Sequence, residues 1–210
     1  MAHPLSRRTM IFAALAAGLT AGCAGPAARR AVPDPETRLI GFDLWTGVPG
    51  SKFGDPIRIA QGSRVISGPI DWTHPVTGER LKVYERRNAE TSGEKVQLFA
   101  MSDNGAALAR VFDRRPGRPD RHFVGDAFFP IGIWSKGERR SWTMTEYEAG
   151  KVHERVATIR IRRLNFTYDG TPDALRYDWI LTDKDGGTVF DERYVHGPSI
   201  GFMRFTNRLR

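Results

Sequence analysis

Apolar and polar residues alternate one for one along Ala157-Thr158-Ile159-Arg160-Ile161-Arg162. A period of two places every second side chain on one face of an extended chain, which is the pattern of a half-buried strand and not of a helix. Leu164, Phe166 and Tyr168 continue the alternation on even positions. The phase therefore flips at Arg162-Arg163, which predicts a β-bulge there or a break between two strands.

Further segments rich in β-branched and aromatic residues read as strands: Ile57–Gln61, 80–86, 95–101, Arg139–Glu148, 175–182, 188–195 and 200–206. The turns between them fit. Thr77-Gly78-Glu79-Arg80, Ser92-Gly93-Glu94-Lys95 and Lys136-Gly137-Glu138-Arg139 each precede a strand with a glycine able to take positive φ. Ala149-Gly150-Lys151 and Asp183-Lys184-Asp185-Gly186-Gly187 read as further hairpin loops. No long amphipathic helix is visible, and 106–112 is the one stretch open to a helical reading. The expected fold is all-β: a single antiparallel barrel or sandwich of roughly nine to eleven strands with little helix.

The first 22 residues have the three parts of a secretory signal. Arg7 and Arg8 form a basic start, Met10 to Leu19 an apolar run, and Thr20-Ala21-Gly22 a small-residue approach to Cys23. The run is about ten residues, short of the roughly 20 a membrane-spanning helix needs. Leu19-Thr20-Ala21-Gly22-Cys23 resembles the lipobox of bacterial lipoproteins, departing from it at Thr20, where that family usually has Leu. The resemblance implies cleavage before Cys23 and lipid attachment at its thiol, with acyl chains such as palmitate as the membrane anchor. As Cys23 is the only cysteine, the chain has no internal disulfide. Ala24 follows it; in that family Asp at this place favours inner-membrane retention, so the resemblance implies the periplasmic face of the outer membrane. Ser6-Arg7-Arg8-Thr9-Met10-Ile11 is also similar to a twin-arginine export signal, and this route and the general secretory one both stay open. Residues 24–37 carry three prolines and no apolar periodicity, and read with Cys23 as an extended tether of up to ~40 Å. Residues 38–210 remain for one β-rich domain. Without the signal the chain has 30 basic and 24 acidic residues and a net charge of +6.

Recognisable catalytic centres are missing from the sequence. The histidines at 74, 122, 153 and 196 are scattered without metal-ligand spacing, no metal site is expected, and no cofactor fingerprint is present. Asp71 precedes His74 at a spacing able to orient an imidazole, against the plainer reading of a loop histidine. His196 and Ser199 could pair on paper, but Gly197-Pro198 between them reads as a turn before the last strand.

Two features rise above background. In 113–122 the arginines Arg114, Arg115, Arg118 and Arg121 are spaced by Pro and Gly, and guanidinium forks suit anions such as phosphate or carboxylate. The plainer alternative is a solvated loop in a chain with 26 Arg and 6 Lys. The second is Ala127-Phe128-Phe129-Pro130-Ile131-Gly132-Ile133-Trp134, which fits a barrel-end cover, an exposed partner patch or core filling. These readings lead to an envelope lipoprotein, membrane-held by its anchor, whose β domain binds or scaffolds an acidic amphiphile, a lipid or a protein partner. Nucleic acid is not an expected partner of an exported domain. The alternative is a periplasmic hydrolase with a loop-built site, which requires a pocket gathering two or more titratable side chains.

Overall fold

The computed structural model describes residues 36–206. The chain divides into two units, Met1–Val32 and Pro33–Arg210, and the described residues belong to the second. The export segment, Cys23 and the tether as far as residue 35 lie outside the described residues. Thr37, at the end of the expected tether, already begins a strand.

The elements run β1 (Thr37–Ile40), α1 (Phe42–Thr46), β2 (Ile57–Gln61), β3 (Arg64–Thr73), β4 (Arg80–Glu90) and β5 (Gly93–Met101). Then come β6 (Ala107–Arg114), β7 (Arg121–Val124), β8 (Phe129–Pro130), β9 (Gly132–Ser135) and β10 (Arg139–Glu148). The last four are β11 (Lys151–Tyr168), β12 (Thr171–Asp183), β13 (Thr188–Gly197) and β14 (Gly201–Thr206). Eleven strands follow one antiparallel path, β14-β13-β12-β11-β10-β7-β6-β5-β4-β3-β2; β8 adds to β6, and β1 with β9 forms a separate small sheet. The long sheet curls into a half-barrel, so the fold is all-β as the alternation requires.

The phase flip at Arg162-Arg163 is a bulge: the β11–β12 register shifts between Ile161 and Arg163, and the strand continues. The segment open to a helical reading is β6, every residue of which except Arg114 is buried. It shows no period because both of its faces are covered. Leu108 joins the main core, while Val111 and Phe112 pack with Val83, Leu98 and Ala100 on the other side of the sheet. β3 is hidden in the sequence by Gly68-Pro69; a register shift between Ser67 and Ile70 absorbs the proline, which has no N–H to give to a ladder.

One end of the half-barrel is filled. The short helix α1 buries Phe42, Leu44 and Trp45 there. Trp45 packs on Phe99 at 5.1 Å and Phe42 on Tyr84 at 4.7 Å between ring centroids. Burial of such side chains stabilises by roughly 1.5–3 kcal/mol each. The apolar run 127–134 fills the core beside them, with Ala127, Phe128, Phe129 and Trp134 buried, and exposes Ile133 opposite Leu39 of β1.

Among the described residues the two edge strands β2 and β14 share no ladder. The seam between them is bridged by side chains and by the end of α1. Arg64 donates to the Ile200 carbonyl at 3.2 Å and to Gln61. Gly47, the left-handed cap of α1, fits so closely that a Cβ there would lie 2.6 Å from both Ile200 C and Gly201 N. Only glycine meets both demands.

Candidate functional site

The other end of the half-barrel is an open lumen of about 650 Å³, lined by side chains from β3 round to β14. Its composition follows from strand phase. Tyr84, Arg86 and Asn88 share one face of β4, and Lys95, Gln97 and Phe99 share the paired face of β5. Tyr84 and Phe99 lie in the filled end, and the residues one and two steps along each strand reach the lumen.

The lumen has three unlike walls. The first is apolar: Trp179 and Leu181 of β12, Phe190 of β13 and Phe202 of β14, over a floor made by Phe128. Phe128 sits 5.5 Å from Trp179 and 5.3 Å from Tyr194, and the Trp179 indole N–H donates to the Ala127 carbonyl at 2.8 Å. These rings are held in place by their neighbours.

The second wall is a compensated ion network on β6, β7, β10 and β11. The fully buried Asp113 carboxylate accepts Arg121 at 2.6 Å and Arg115 at 3.1 Å, with Arg110 at 3.6 Å. Arg110 also faces Asp126 at 3.3 Å, and Glu146 joins Arg121 at 3.1 Å to Arg155 at 3.3 Å. Burial alone would raise the Asp113 pKa, but Arg110, Arg115 and Lys95 outweigh it and hold the carboxyl below its usual range. Asp126, also buried, is pushed up by burial despite Arg110.

The third wall, on β3 to β5, carries Arg64, Arg86 and Lys95. Among the described residues none of the three has a carboxylate at ion-pairing distance. Arg86 is 8% exposed; its guanidinium donates to Gln97 Oε1 at 3.2 Å and rests on the Phe99 and Phe128 rings at 4.8 and 5.3 Å. Burial, and then Arg86, lowers the Arg64 pKa to about 10. Burial, and then Arg115, lowers the Lys95 pKa to about 8. Glu192 faces this wall from β13: burial raises its pKa, and Tyr194 donates to it at 2.7 Å.

The arginine loop is divided by the sheet. Arg115, Arg118 and Arg121 reach the lumen, whereas Arg114 pairs with Asp120 at 2.6 Å in a shallow outer groove. Arg115 and Arg121 are already occupied by carboxylates. Arg64, Arg86, Lys95 and Arg110 were not legible as site residues, since a charge within a strand reads as a solvent-facing position. The one available signal is phase, because Arg86 alternates with the inward-facing Tyr84.

The remaining candidates are structural. His74 is buried, with Nδ1 accepting from the Val76 and Thr77 amides and Nε2 against the Phe123 carbonyl at 3.2 Å, while Asp71 pairs with Lys82 instead. His196 is buried against Phe129 and Tyr177, where burial keeps its imidazole neutral, and Ser199 stands exposed in the turn before β14. Among the described residues no three His, Cys, Asp or Glu side chains gather as a metal site, and no helix is long and apolar enough to cross a membrane. No protein-family model, curated protein or solved structure matches the chain.

Proposed function

We propose that this chain is a lipid-anchored envelope protein whose half-barrel lumen binds a small acidic amphiphile. The carrying observation is the lumen itself, in which an apolar wall and a cationic one line a single cavity of about 650 Å³. Pockets of roughly 300–1,000 Å³ hold drug-sized ligands, and a few placed polar groups on an apolar lining fix their orientation. A non-enzymatic binder needs nothing more, and the anchor implied by Cys23 would hold it at the membrane surface where such molecules partition.

The test is native mass spectrometry of the full chain, expressed with export in a bacterial host and purified in mild detergent. The expected result is a reproducible added mass of an acidic amphiphile on the wild type, lost in Leu181→Trp, which fills the lumen. Adducts absent from both proteins, or equal on both, contradict the proposal. Anchoring is read in the same preparation: Cys23→Ser should lack the acyl mass and leave the membrane fraction.

A second reading, a periplasmic hydrolase, is favoured by Glu192, Tyr194 and Lys95, which place a carboxyl, a phenol and an amine on one cavity. If it holds, Glu192→Gln abolishes turnover of an ester substrate while leaving ligand mass adducts in place.

A further inference from the structure

Arg64, Arg86 and Lys95 occupy neighbouring inward positions on three paired strands. Arg64 lies opposite Asn88, Asn88 opposite Lys95, and Arg86 opposite Gln97. Arg86 is thus a diagonal neighbour of both Arg64 and Lys95, at the roughly 7–8 Å separation that long side chains span. The nearby carboxyls are committed elsewhere: Asp113 to Arg115 and Arg121, Glu192 to the Tyr194 phenol.

Three cations with no carboxylate at ion-pairing distance among the described residues, Arg64 and Arg86 each about nine-tenths buried, are expensive to hold together. Burial is the main cause of the depressed Arg64 and Lys95, and the Arg86 charge adds to it at both. Their one common gain is an anion between them. A carboxylate is satisfied by a single guanidinium fork. Two guanidiniums and an ammonium, with the Gln97 and Asn88 amides beside them, match a group with three oxygens and more than one negative charge.

Building on the lumen reading, we propose that the wall formed by Arg64, Arg86 and Lys95 is a phosphate subsite, and that the ligand class is a single-chain phosphate monoester with its apolar part against Trp179, Leu181 and Phe190. The phosphate enters as a preformed ester, and no bond is made or broken. The compensated network on β6, β7, β10 and β11 is not part of this subsite, because its arginines already have carboxylates.

Isothermal titration of the full chain with dodecyl phosphate, dodecanoate and dodecanol at equal salt tests the assignment. Dodecyl phosphate should bind about tenfold or more tighter than dodecanoate, and dodecanol weakest, since each charge-assisted contact is worth on the order of tenfold in affinity. Arg86→Met should weaken dodecyl phosphate about tenfold or more and leave dodecanol unchanged. Lys95→Met guards against a folding artefact. With one member of the repelling cluster removed, it should melt at a higher temperature than wild type without ligand, yet bind dodecyl phosphate more weakly. Equal binding of dodecyl phosphate and dodecanoate in wild type and both variants overturns the phosphate subsite but leaves an amphiphile-binding lumen. Failure of all three probes to bind overturns both.

Discussion

A buried carboxylate and an exposed one differ here by what each leaves behind when removed. Asp113 is fully buried and neutralises Arg110, Arg115 and Arg121, so Asp113→Asn should cost about 3–5 kcal/mol in urea denaturation. Asp71, exposed in its pair with Lys82, should change stability by less than about 0.5 kcal/mol when made Asn. Lys95 acts with the opposite sign. Its folded pKa of about 8 lies below the 10.5 of the unfolded side chain, so between those values the unfolded chain binds more protons. Stability of the ligand-free protein should therefore rise from pH 8 towards 10.5, by up to about 3 kcal/mol from this group, and Lys95→Met should flatten that rise. A urea midpoint that falls over this range in wild type and variant alike would show that Lys95 is well solvated. Residue types that carry the site were visible in the sequence, but their convergence was not. The Arg-rich loop drew attention by local density, whereas Arg64, Arg86 and Lys95 lie on separate strands and meet only through register.

Elements were legible where one face of a strand is wet. β2 and β10 coincide with their sequence patterns, and the β11 bulge follows from its phase flip. β6 is covered on both faces and loses its period, Gly68-Pro69 interrupts β3, and α1 has only five residues in which to show a stripe. That helix closes the seam at Gly47, where φ is +78° and the Gly201 and Ile200 backbones leave no room for a Cβ. Gly47→Ala should cost at least about 2 kcal/mol, from left-handed strain plus displacement of the β13–β14 turn. Gly78→Ala, at φ +74° with open space around it, should cost only about 1 kcal/mol. Urea midpoints for the pair separate backbone strain from seam closure; equal losses would mean that the seam carries no load.

The half-barrel is filled at one end and open at the other, and the proposed binding site takes the open end. The protein's buried histidines also make it acid-sensitive. Burial lowers the pKa of His74, His122 and His196, so below about pH 6.5 the unfolded chain takes up protons that the folded chain refuses. Stability should fall with decreasing pH from there, and His196→Phe should reduce the slope by up to about 1.4 kcal/mol per pH unit. The open end is the central claim, and its most direct test is photo-crosslinking of the full chain with an alkyl phosphate bearing a diazirine in its chain, the adducts located by peptide mass spectrometry. The account expects adducts on Trp179, Leu181 and Phe190, competed away by excess dodecyl phosphate. Adducts confined to the outer-groove residues Trp72, Val96 and Phe112, or to Leu39 and Ile133 on the small sheet, would contradict it.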